Sequence, residues 1–345
     1  MPMSNDAVHT AEVKRPAEPH LLLSIAGVER NAIFPAPMSA ALSAITGTID
    51  TVEPRDVPAH AHLEETEIAV VAWGFPAFDR KLLARMPRLR LVVNAASSVR
   101  ALVTDDFWRS GIPITQSGSA MSPAVAEMSL TLTLSLLRRV HRMDHLLRSG
   151  AEWDTARSVP RAREISGSRI GVIGASRTGR EYIRMCAALG ATTSVYDPYL
   201  GPGDPLAATA VGLDELMAGS DVVAVHAPAT AETAGMIGSR ELALLGDGSA
   251  FVNTARSSLT DMDALYAEVA SGRIDAALDV FDREPLPTDD RWRGLPNVLL
   301  TGHVSGATRD SRARAGEIVI DEITRFLAGD PLQHRVTRDS LERMG

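Results

Sequence analysis

Residues 169–197 read RIGVIGASRTGREYIRMCAALGATTSVYD, and this stretch decides the fold. An apolar run at 169–174 enters the turn GASRTG, which spans residues 174–179. An amphipathic stretch follows and stops at Gly190, after which a second apolar run ends at Asp197. Strand, turn, helix and strand in this order predict a right-handed βαβ unit of a parallel sheet.

Short apolar runs recur on both sides of this unit, and longer amphipathic stretches separate them. They lie at 21–26, 68–73, 91–96 and 112–115 before it, and at 221–227, 250–255, 275–280 and 298–303 after it. Near-continuous apolar strands are typical of parallel sheets that helices cover on both faces. The fold class is therefore α/β, with two doubly wound parallel-sheet units.

Length, charge and cysteine content narrow the class of protein. A chain of 345 residues is long enough for about two domains. A net charge of −8 argues against nucleic acid as a partner, and the single cysteine favours a reducing compartment. Residues 1–19 are polar, and no apolar run approaches the ~20 residues of a spanning helix. We therefore expect a disordered tail at 1–19 and a cytoplasmic protein that does not bind membranes.

Residues 122–149 predict a long helical stretch between the two units. Ser122 is a good N-cap, Pro123 suits the first helical position, and Gly150 can end the helix. At ~1.5 Å per residue the stretch would reach roughly 40 Å, more than one small domain needs to cover its sheet. It either bridges the two domains or packs against a second subunit. We expect both, and hence a homodimer.

The turn at 174–179 resembles the Rossmann dinucleotide-binding fingerprint. Gly174 permits a tight turn, Gly179 permits close helix–strand packing, and the helix N-terminus offers N–H groups to a pyrophosphate. Asp197 can accept hydrogen bonds from both ribose hydroxyls and would repel a 2′-phosphate, so NAD is expected rather than NADP. Ser176 replaces the central glycine, and its Cβ would crowd the pyrophosphate unless its hydroxyl donates to a phosphate oxygen.

Polar side chains follow three of the later apolar runs. Arg256 comes after the run at 250–255, Glu284 after 275–280, and His303 at the end of 298–303. Because ligands bind at the carboxyl ends of the strands in open parallel sheets, these side chains can meet around one substrate.

In these motifs the chain resembles the NAD-dependent D-isomer-specific 2-hydroxyacid dehydrogenases. The likeness runs from about residue 68 to residue 330. It rests on IPITQSGS (112–119), HAPATAET (226–233), NTAR (253–256), ALDVFDREP (277–285) and LPNVLLTGHVSGAT (295–308). It implies two Rossmann-like domains, with the cofactor domain inserted into a flavodoxin-like substrate domain. The expected domains are 20–121 with 309–345 for substrate and 122–308 for NAD, and a C-terminal helix at 312–328 should return to the first unit.

The resemblance implies a role for each polar residue. His303 would act as acid/base beside the carbonyl oxygen, since imidazole titrates near physiological pH. Glu284 would orient the imidazole, and Arg256 would bind the substrate carboxylate through its planar charged group. The expected function is hydride transfer between NAD(H) and a small 2-hydroxy or 2-keto acid.

Further residues take expected positions from the same resemblance. The cofactor cleft would comprise Gly174, Ser176, Arg177, Thr178, Gly179, Asp197, Ala227, Pro228, Thr233, Thr254, Ala255, Arg256, Asp279 and His303. The substrate would contact Ser97, Ser98, Val99, Arg256 and His303. Asp279 has two interpretations, because it can face the nicotinamide amide or serve as a structural acid at a strand end.

Some positions depart from the family pattern. Ala96-Ser97-Ser98-Val99 stands where a Gly-x-Gly turn is usual, Arg100-Ala101 replaces an expected aspartate, Ser257 replaces a glycine and Gly302 replaces a proline. These changes suggest a substrate with an additional polar or anionic group near Arg100. Trp73, Phe75 and Met121 are candidates for the side-chain pocket or for the core.

Other functions remain open. A non-catalytic NAD-sensing, corepressor-like interaction protein is one alternative, and oxidation of an inorganic or one-carbon anion is another. We expect no metal site, because His60 and His62 have no third ligand nearby, and between His141 and His145 Arg142 takes the place of the glutamate of an H-E-x-x-H motif.

Overall fold

Two six-stranded sheets form the protein, as described by a computed structural model. The structure describes residues 19–158, 162–342 and 344, so the predicted disordered tail, apart from Pro19, lies outside the described residues. In chain order the strands are β1 (Leu21–Ser24), β2 (Ile49–Thr51), β3 (Ile68–Val71), β4 (Leu91–Asn94), β5 (Ile114–Gln116), β6 (Arg169–Ile173), β7 (Thr192–Tyr196), β8 (Val222–Val225), β9 (Ala250–Asn253), β10 (Asp275–Leu278), β11 (Val298–Leu300) and β12 (Arg335–Val336).

Helices connect the strands on both faces of each sheet. The α-helices are α1 (Gly27–Ile33), α2 (Ala36–Ile45), α3 (Arg80–Ala84), α4 (Asp105–Ser110), α5 (Ser122–Leu137), α6 (Val140–Arg148), α7 (Trp153–Arg157), α8 (Arg177–Ala188), α9 (Leu213–Gly219), α10 (Ser239–Ala243), α11 (Met262–Ala270), α12 (Arg309–Ala328) and α13 (Arg338–Glu342). Short 3₁₀ helices lie at Pro54–Ala59, Leu63–Glu65, Gly118–Ala120, Ala207–Thr209, Ser257–Leu259 and Arg291–Gly294.

Strand order confirms the predicted α/β class. The first sheet has the order β2-β1-β3-β4-β5-β12, in which only β12 is antiparallel to its neighbour. The second has the order β7-β6-β8-β9-β10-β11 and is parallel throughout. A single parallel bridge from Val195 to Ala210 extends its β7 edge. The orders of both sheets reverse next to the first strand of each unit, which is where doubly wound folds bind ligands.

The register of the second sheet aligns the strand ends that carry the polar residues. Ile173 pairs with Val225, Val225 with Asn253, Asn253 with Leu278, and Leu278 with Leu300. β6 is buried along Ile170–Ile173, and β8, β9 and β10 are buried along their whole length. Since the chain leaves each strand at the same edge, the residues that follow these strands share one rim of the sheet.

The predicted helical stretch at 122–149 consists of two helices. α5 ends at Leu137 and α6 begins at Val140, with Arg139 between them at a φ of 56°. Arg139 and Arg142 both bind the buried carboxylate of Asp275 at the start of β10, which holds the chain in this break. Ser122 is not the N-cap, because the helix begins at Ser122 itself and its hydroxyl donates to the carbonyl of Gly118, 3.3 Å away.

The segment Gly118–Leu137 is long and apolar enough to cross a membrane by length and composition. The expectation that no apolar run approaches this length is therefore wrong. However, α5 packs against α8, β9 and β10, and 56% of the most apolar window is buried inside the protein. The apolar composition is explained by its position in the core.

The C-terminal helix returns to the first sheet, as predicted, and begins three residues earlier than expected. α12 packs against α1, α2 and β4. Its approach to α1 requires Gly316, because a Cβ at this position would overlap the carbonyl oxygen of Ile33. The predicted domain limits at 121 and 309 agree with this sheet membership and stay a prediction.

Candidate active site

A cleft between the two sheets contains two adjoining cavities of about 700 and 690 Å³. We call them the nucleotide cavity and the inner cavity. The nucleotide cavity lies over the ends of β6, β7 and β8, and the inner cavity lies between the strand ends of both sheets. Residues from both sheets line both cavities: Ser97, Gly118, Ser122, Thr178, His226, Ala255 and Arg256.

The turn at 174–179 is packed so tightly that two of its positions require glycine. Gly174 has a φ of +101°, and a Cβ there would lie 2.5 Å from the backbone nitrogen of Ala227. A Cβ on Gly179 would overlap the carbonyl oxygen of Gly174. This close packing places the N-terminus of α8 at the wall of the nucleotide cavity, where its N–H groups suit an anion.

Ser176 uses its hydroxyl to begin α8. Its Oγ accepts a hydrogen bond from the backbone N–H of Gly179 at 3.2 Å, in the geometry of an N-cap. The hydroxyl therefore acts within the protein, and one amide of the helix terminus is already occupied.

Asp197 lies opposite this helix terminus at the end of β7. Its Oδ2 accepts from the N–H of Ala175 at 2.8 Å, and its Oδ1 accepts from the N–H of Tyr199 at 2.9 Å. The two bonds fix the carboxylate at the wall of the nucleotide cavity. Each oxygen retains a lone pair, so the group suits the hydroxyls of a ribose.

The remaining predicted cofactor residues divide between the two cavities. Arg177, Thr178, Ala227, Pro228 and Thr233 line the nucleotide cavity. Thr254, Asp279 and His303 line the inner cavity. Thr178, Ala255 and Arg256 line both cavities, and Gly179 lines neither. A glycine turn that excludes a Cβ, a helix N-terminus and a fixed carboxylate around about 700 Å³ fit a dinucleotide.

His303 and Glu284 form a hydrogen-bonded pair beside the inner cavity. The Nδ1 of His303 lies 2.6 Å from Oε2 of Glu284, whose Oε1 accepts from the N–H of Phe281 at 3.0 Å. With Nδ1 engaged by the carboxylate, the proton at Nδ1 is fixed and Nε2 is left for another partner. The pair thus has the arrangement of an oriented acid/base.

Asp279 holds the turn that carries His303. Its Oδ1 accepts from Thr301 Oγ1 at 2.5 Å and from the N–H of Val304 at 3.0 Å, and its Oδ2 accepts from the N–H of Ser305 at 2.9 Å. The carboxylate is fully buried, and His303 has a φ of 56° between these anchored residues. This geometry favours the structural interpretation of Asp279, although the residue also lines the inner cavity.

Arg256 follows β9, and the side chain of Asn253 shapes its loop. Oδ1 of Asn253 accepts from the N–H of Ala255, and Nδ2 donates to the carbonyl of Arg256, both at 3.0 Å. The guanidinium donates to the carbonyl of Ala255 at 2.6 Å. No carboxylate of the described residues forms an ion pair with Arg256, so its charge is available to an anionic ligand.

The opposite wall comes from the first sheet. Asn94 at the end of β4 accepts from the N–H of Ala96 at 3.2 Å and donates to the carbonyl of Ser98 at 2.9 Å. Ser97 lines both cavities and Ser98 lines the inner one, whereas the side chain of Val99 is buried in the core of the first sheet. Of the three predicted substrate residues on this loop, only the two serines face the cleft.

Arg100 does not face the cleft. Its guanidinium donates to the backbone carbonyls of Leu341 and Met344 near the C-terminus. The expectation of a polar or anionic substituent near Arg100 is therefore not supported. Trp73, Phe75 and Met121 all line the inner cavity, and Phe75 also belongs to the core of the first sheet.

Four residues of the site were not found from the sequence. Asn94 and Asn253 shape the two loops that face each other, and a signal existed, because VNAASS and VNTARSS share Asn and Ala at the same spacing. Arg312 of α12 lines the inner cavity, and no sequence motif indicates its position there. His226 lies within HAPATAET, is 4% exposed and has two ring nitrogens without a partner among the described residues. Burial lowers its pKa to about 3, so the ring is neutral.

His60, one of the histidines considered as metal ligands, has another partner. His60 Nε2 and His20 Nε2 both lie 3.0 Å from the same carboxylate oxygen of Asp50. His141 is buried, and burial lowers its pKa to about 4. Within the described part of the chain, no group of three or more potential ligands is gathered, and the expected absence of a metal stays a prediction.

Comparison with known proteins agrees with this geometry. Residues 130–305 match the family model described as D-isomer specific 2-hydroxyacid dehydrogenase, NAD binding domain. This match confirms NAD as the predicted cofactor.

Similar proteins include both longer and shorter relatives. The chain is 29% identical over 277 residues to a D-3-phosphoglycerate dehydrogenase of Archaeoglobus fulgidus, covering 79% of this chain and 52% of that protein. It is 32% identical over 243 residues to a hydroxypyruvate reductase of Thermotoga maritima, covering 69% and 78%. The chain thus spans about half the length of the first of these curated relatives.

The fold is also that of a solved enzyme. The structure of a D-2-hydroxyisocaproate dehydrogenase superposes with a TM-score of 0.81 at 20% identity, covering 92% of this chain and 99% of the other. The family model, the identity to the hydroxypyruvate reductase and the shared architecture lead to one conclusion. The chain belongs to the D-isomer specific 2-hydroxyacid dehydrogenase family.

Proposed function

We propose that the protein is an NAD-dependent oxidoreductase that interconverts a small 2-hydroxy acid and its 2-keto acid. The observation that carries this proposal is the common cavity of Arg256 and His303, with Glu284 bonded to the imidazole, next to the glycine turn. When bound, NAD(H) supplies or accepts the hydride. The relatives named as phosphoglycerate dehydrogenase, hydroxypyruvate reductase and glyoxylate reductase support small acids as the substrate class.

Arg256 binds the substrate carboxylate in this mechanism. Its guanidinium has no ion-pair partner among the described residues, and a planar fork of donors suits a carboxylate. The serine loop at Ser97 and Ser98 closes the opposite side of the inner cavity. Together they orient the keto group toward His303.

His303 moves the proton. In the direction of reduction, Nε2 donates to the carbonyl oxygen as negative charge develops on it, and in the direction of oxidation it accepts the hydroxyl proton. Glu284 keeps the proton on Nδ1 and stabilises the imidazolium that exists during oxidation. Glu284 itself is held by the amide of Phe281, so the ring is oriented before substrate arrives.

The organisation of the chain follows from the same proposal. Residues 20–121 and 309–345 form the substrate domain, and residues 122–308 form the NAD-binding domain. A cytoplasmic homodimer without nucleic-acid or membrane partners is the expected state. The exposed apolar side chains of Val140, Leu147 and Trp153 on α6 and α7 support a protein–protein contact on this side.

Two variants test the proposal. His303→Ala should abolish NADH oxidation by 2-keto acids while NADH binding, followed by fluorescence titration, stays within about twofold. Glu284→Gln, which keeps a hydrogen-bond acceptor near the imidazole, should lower kcat by about 10²- to 10⁴-fold and shift the pH profile of kcat/KM. Unchanged turnover in His303→Ala would refute the acid/base assignment. NADH binding by the wild type without turnover of any keto acid would favour the non-catalytic alternative.

A further inference from the structure

The inner cavity contains a second cationic side chain besides Arg256. Arg312 lies in the first turn of α12 and is 8% exposed. Its Nε donates to Oε2 of Glu29 at 2.6 Å, and the carbon of the guanidinium lies 4.4 Å from the ring centroid of Trp73. An ion pair and an aromatic ring thus hold the guanidinium in one orientation at the cavity wall.

The donors of Arg312 are only partly used. A guanidinium carries five N–H groups. Besides the bond from Nε, Nη1 makes one long contact of 3.5 Å to the carbonyl of Gly306, and Nη2 has no hydrogen bond to a described residue. Arg312 lines the inner cavity, so a ligand group there that accepts from Nη1 and Nη2 would form charge-assisted hydrogen bonds.

Several apolar side chains line the inner cavity together with Arg312. Ala72, Phe75, Leu102, Met121 and Val125 contribute walls of the inner cavity. A substrate whose carboxylate binds Arg256 and whose carbonyl faces His303 has its side chain left for this remaining space. In this space Arg312 offers N–H donors to a substrate side chain, whereas the carboxylate of Asp279 in the same cavity is already bonded to the turn that carries His303.

We propose that Arg312 selects 2-keto acids whose side chain ends in a hydrogen-bond acceptor, a hydroxyl or a second carboxylate, over apolar acids of similar size. Glu29 occupies Nε and balances the charge, and Trp73 packs against the face of the guanidinium. The edge formed by Nη1 and Nη2 remains for the ligand. This inference rests on the proposed dehydrogenase function of the same cavity.

Matched pairs of acids measure the selection. The first pair is hydroxypyruvate and 2-oxobutanoate, which differ by a hydroxyl in place of a methyl group. The second is 2-oxoglutarate and 2-oxohexanoate, which differ by a terminal carboxylate. With NADH and wild-type protein, kcat/KM for at least one acceptor-bearing acid should exceed that of its apolar match by about 10- to 100-fold, the range for a charge-assisted hydrogen bond.

The variant Arg312→Met keeps an unbranched side chain out to the position of Nε and removes all of the N–H donors. It should lower this ratio to near one, mainly through a higher KM for the acceptor-bearing acid. Glu29→Gln retains an acceptor for Nε and removes the balancing charge, so it should raise the preference for the dicarboxylate and leave the hydroxyl pair within about twofold. If Arg312→Met does not fold, Arg312→Lys, which keeps the charge but loses the paired N–H edge, should also lower the ratio.

The outcomes separate the two proposals. If the wild type reduces both members of each pair equally, or if Arg312→Met lowers both members equally, Arg312 has only a structural role and this inference is overturned. If NADH is oxidised by no keto acid in either pair, the dehydrogenase function fails with it. A ratio above ten in the wild type that collapses in Arg312→Met supports the selection.

Discussion

Replacing Asp279 by asparagine separates the two roles considered for this residue. In the wild type, one carboxylate oxygen accepts from Thr301 and Val304, and the other accepts from the N–H of Ser305. An asparagine must point its NH₂ group at one of these donors, and the cheaper choice faces Ser305. The substitution therefore removes one hydrogen bond to a charged acceptor and leaves a buried N–H without a partner.

The magnitude follows from these contacts. A hydrogen bond to a charged group contributes about 1.5–3 kcal/mol, and an unpaired buried donor costs about 1–3 kcal/mol. Both contributions arise from the same contact, between Oδ2 of Asp279 and the N–H of Ser305, so they are not fully additive. We therefore expect Asp279→Asn to lower the free energy of unfolding by about 2–4 kcal/mol. The loosened turn also carries His303 at positive φ, so kcat should fall by about 10- to 100-fold.

Three measurements decide the outcome. Urea unfolding gives stability, steady-state NADH oxidation gives kcat, and fluorescence titration gives the Kd for NADH. Asp282→Asn is the matched control, because Asp282 is an exposed acid on the same segment. If Asp279→Asn keeps full stability and kcat but binds NADH more than tenfold more weakly, the residue faces the cofactor and the structural interpretation is refuted.

Three further predictions concern the nucleotide turn and the buried residue His141. Ser176→Gly should change the free energy of unfolding by only a few tenths of a kcal/mol. The variant should bind NADH more tightly in titrations, because the N–H of Gly179 becomes free for a phosphate. Weaker NADH binding would contradict the capping role of Ser176. Gly179→Ala should destabilise the protein by about 3 kcal/mol in urea, because its Cβ meets the carbonyl of Gly174. Burial lowers the pKa of His141 to about 4, so the unfolded chain binds a proton that the folded one does not, and stability is lost as pH falls from 6.5 towards 4. In His141→Gln, the slope of unfolding free energy against pH in this window should be smaller by up to about 1.4 kcal/mol per unit, and an unchanged slope would show that His141 is protonated in the fold.

Buried strands could be predicted from the sequence because their apolar runs are continuous. Nine of the ten predicted runs contain a whole strand, and each of these runs extends one to three residues beyond the carboxyl end of its strand. The run at 112–115 instead begins two residues before β5 and ends one residue short of its end. β2 and β12 were missed because they lie at sheet edges, have three and two residues, and carry polar or exposed positions. The break between α5 and α6 depends on Asp275, which is far away in sequence, so helix periodicity could not place it.

Residues of the site could be predicted where a motif joins them to a strand end. His303, Glu284 and Arg256 each follow a predicted strand, and the structure brings the imidazole to the carboxylate. Arg312 could not be predicted from a strand end, because it reaches the inner cavity from α12, a helix that packs against the first sheet. The predicted position of Arg100 beside the substrate was wrong for a related reason. Its guanidinium is held by the carbonyl of Leu341, which is far away in sequence.

The two loops that face each other across the inner cavity are held by the same pattern of hydrogen bonds and present different side chains. In each sheet an asparagine at the end of a strand accepts from the N–H two residues later and donates to a following carbonyl. This bonding fixes both loops independently of the ligand. The position three residues after the asparagine is Ser97 in one loop and Arg256 in the other. Since the two scaffolds are alike, the loops differ in the side chain that each presents at this position, a serine hydroxyl on the first sheet and a guanidinium on the second. In the proposed mechanism, this difference directs the substrate carboxylate to Arg256 and leaves the substrate side chain to the space beside Arg312.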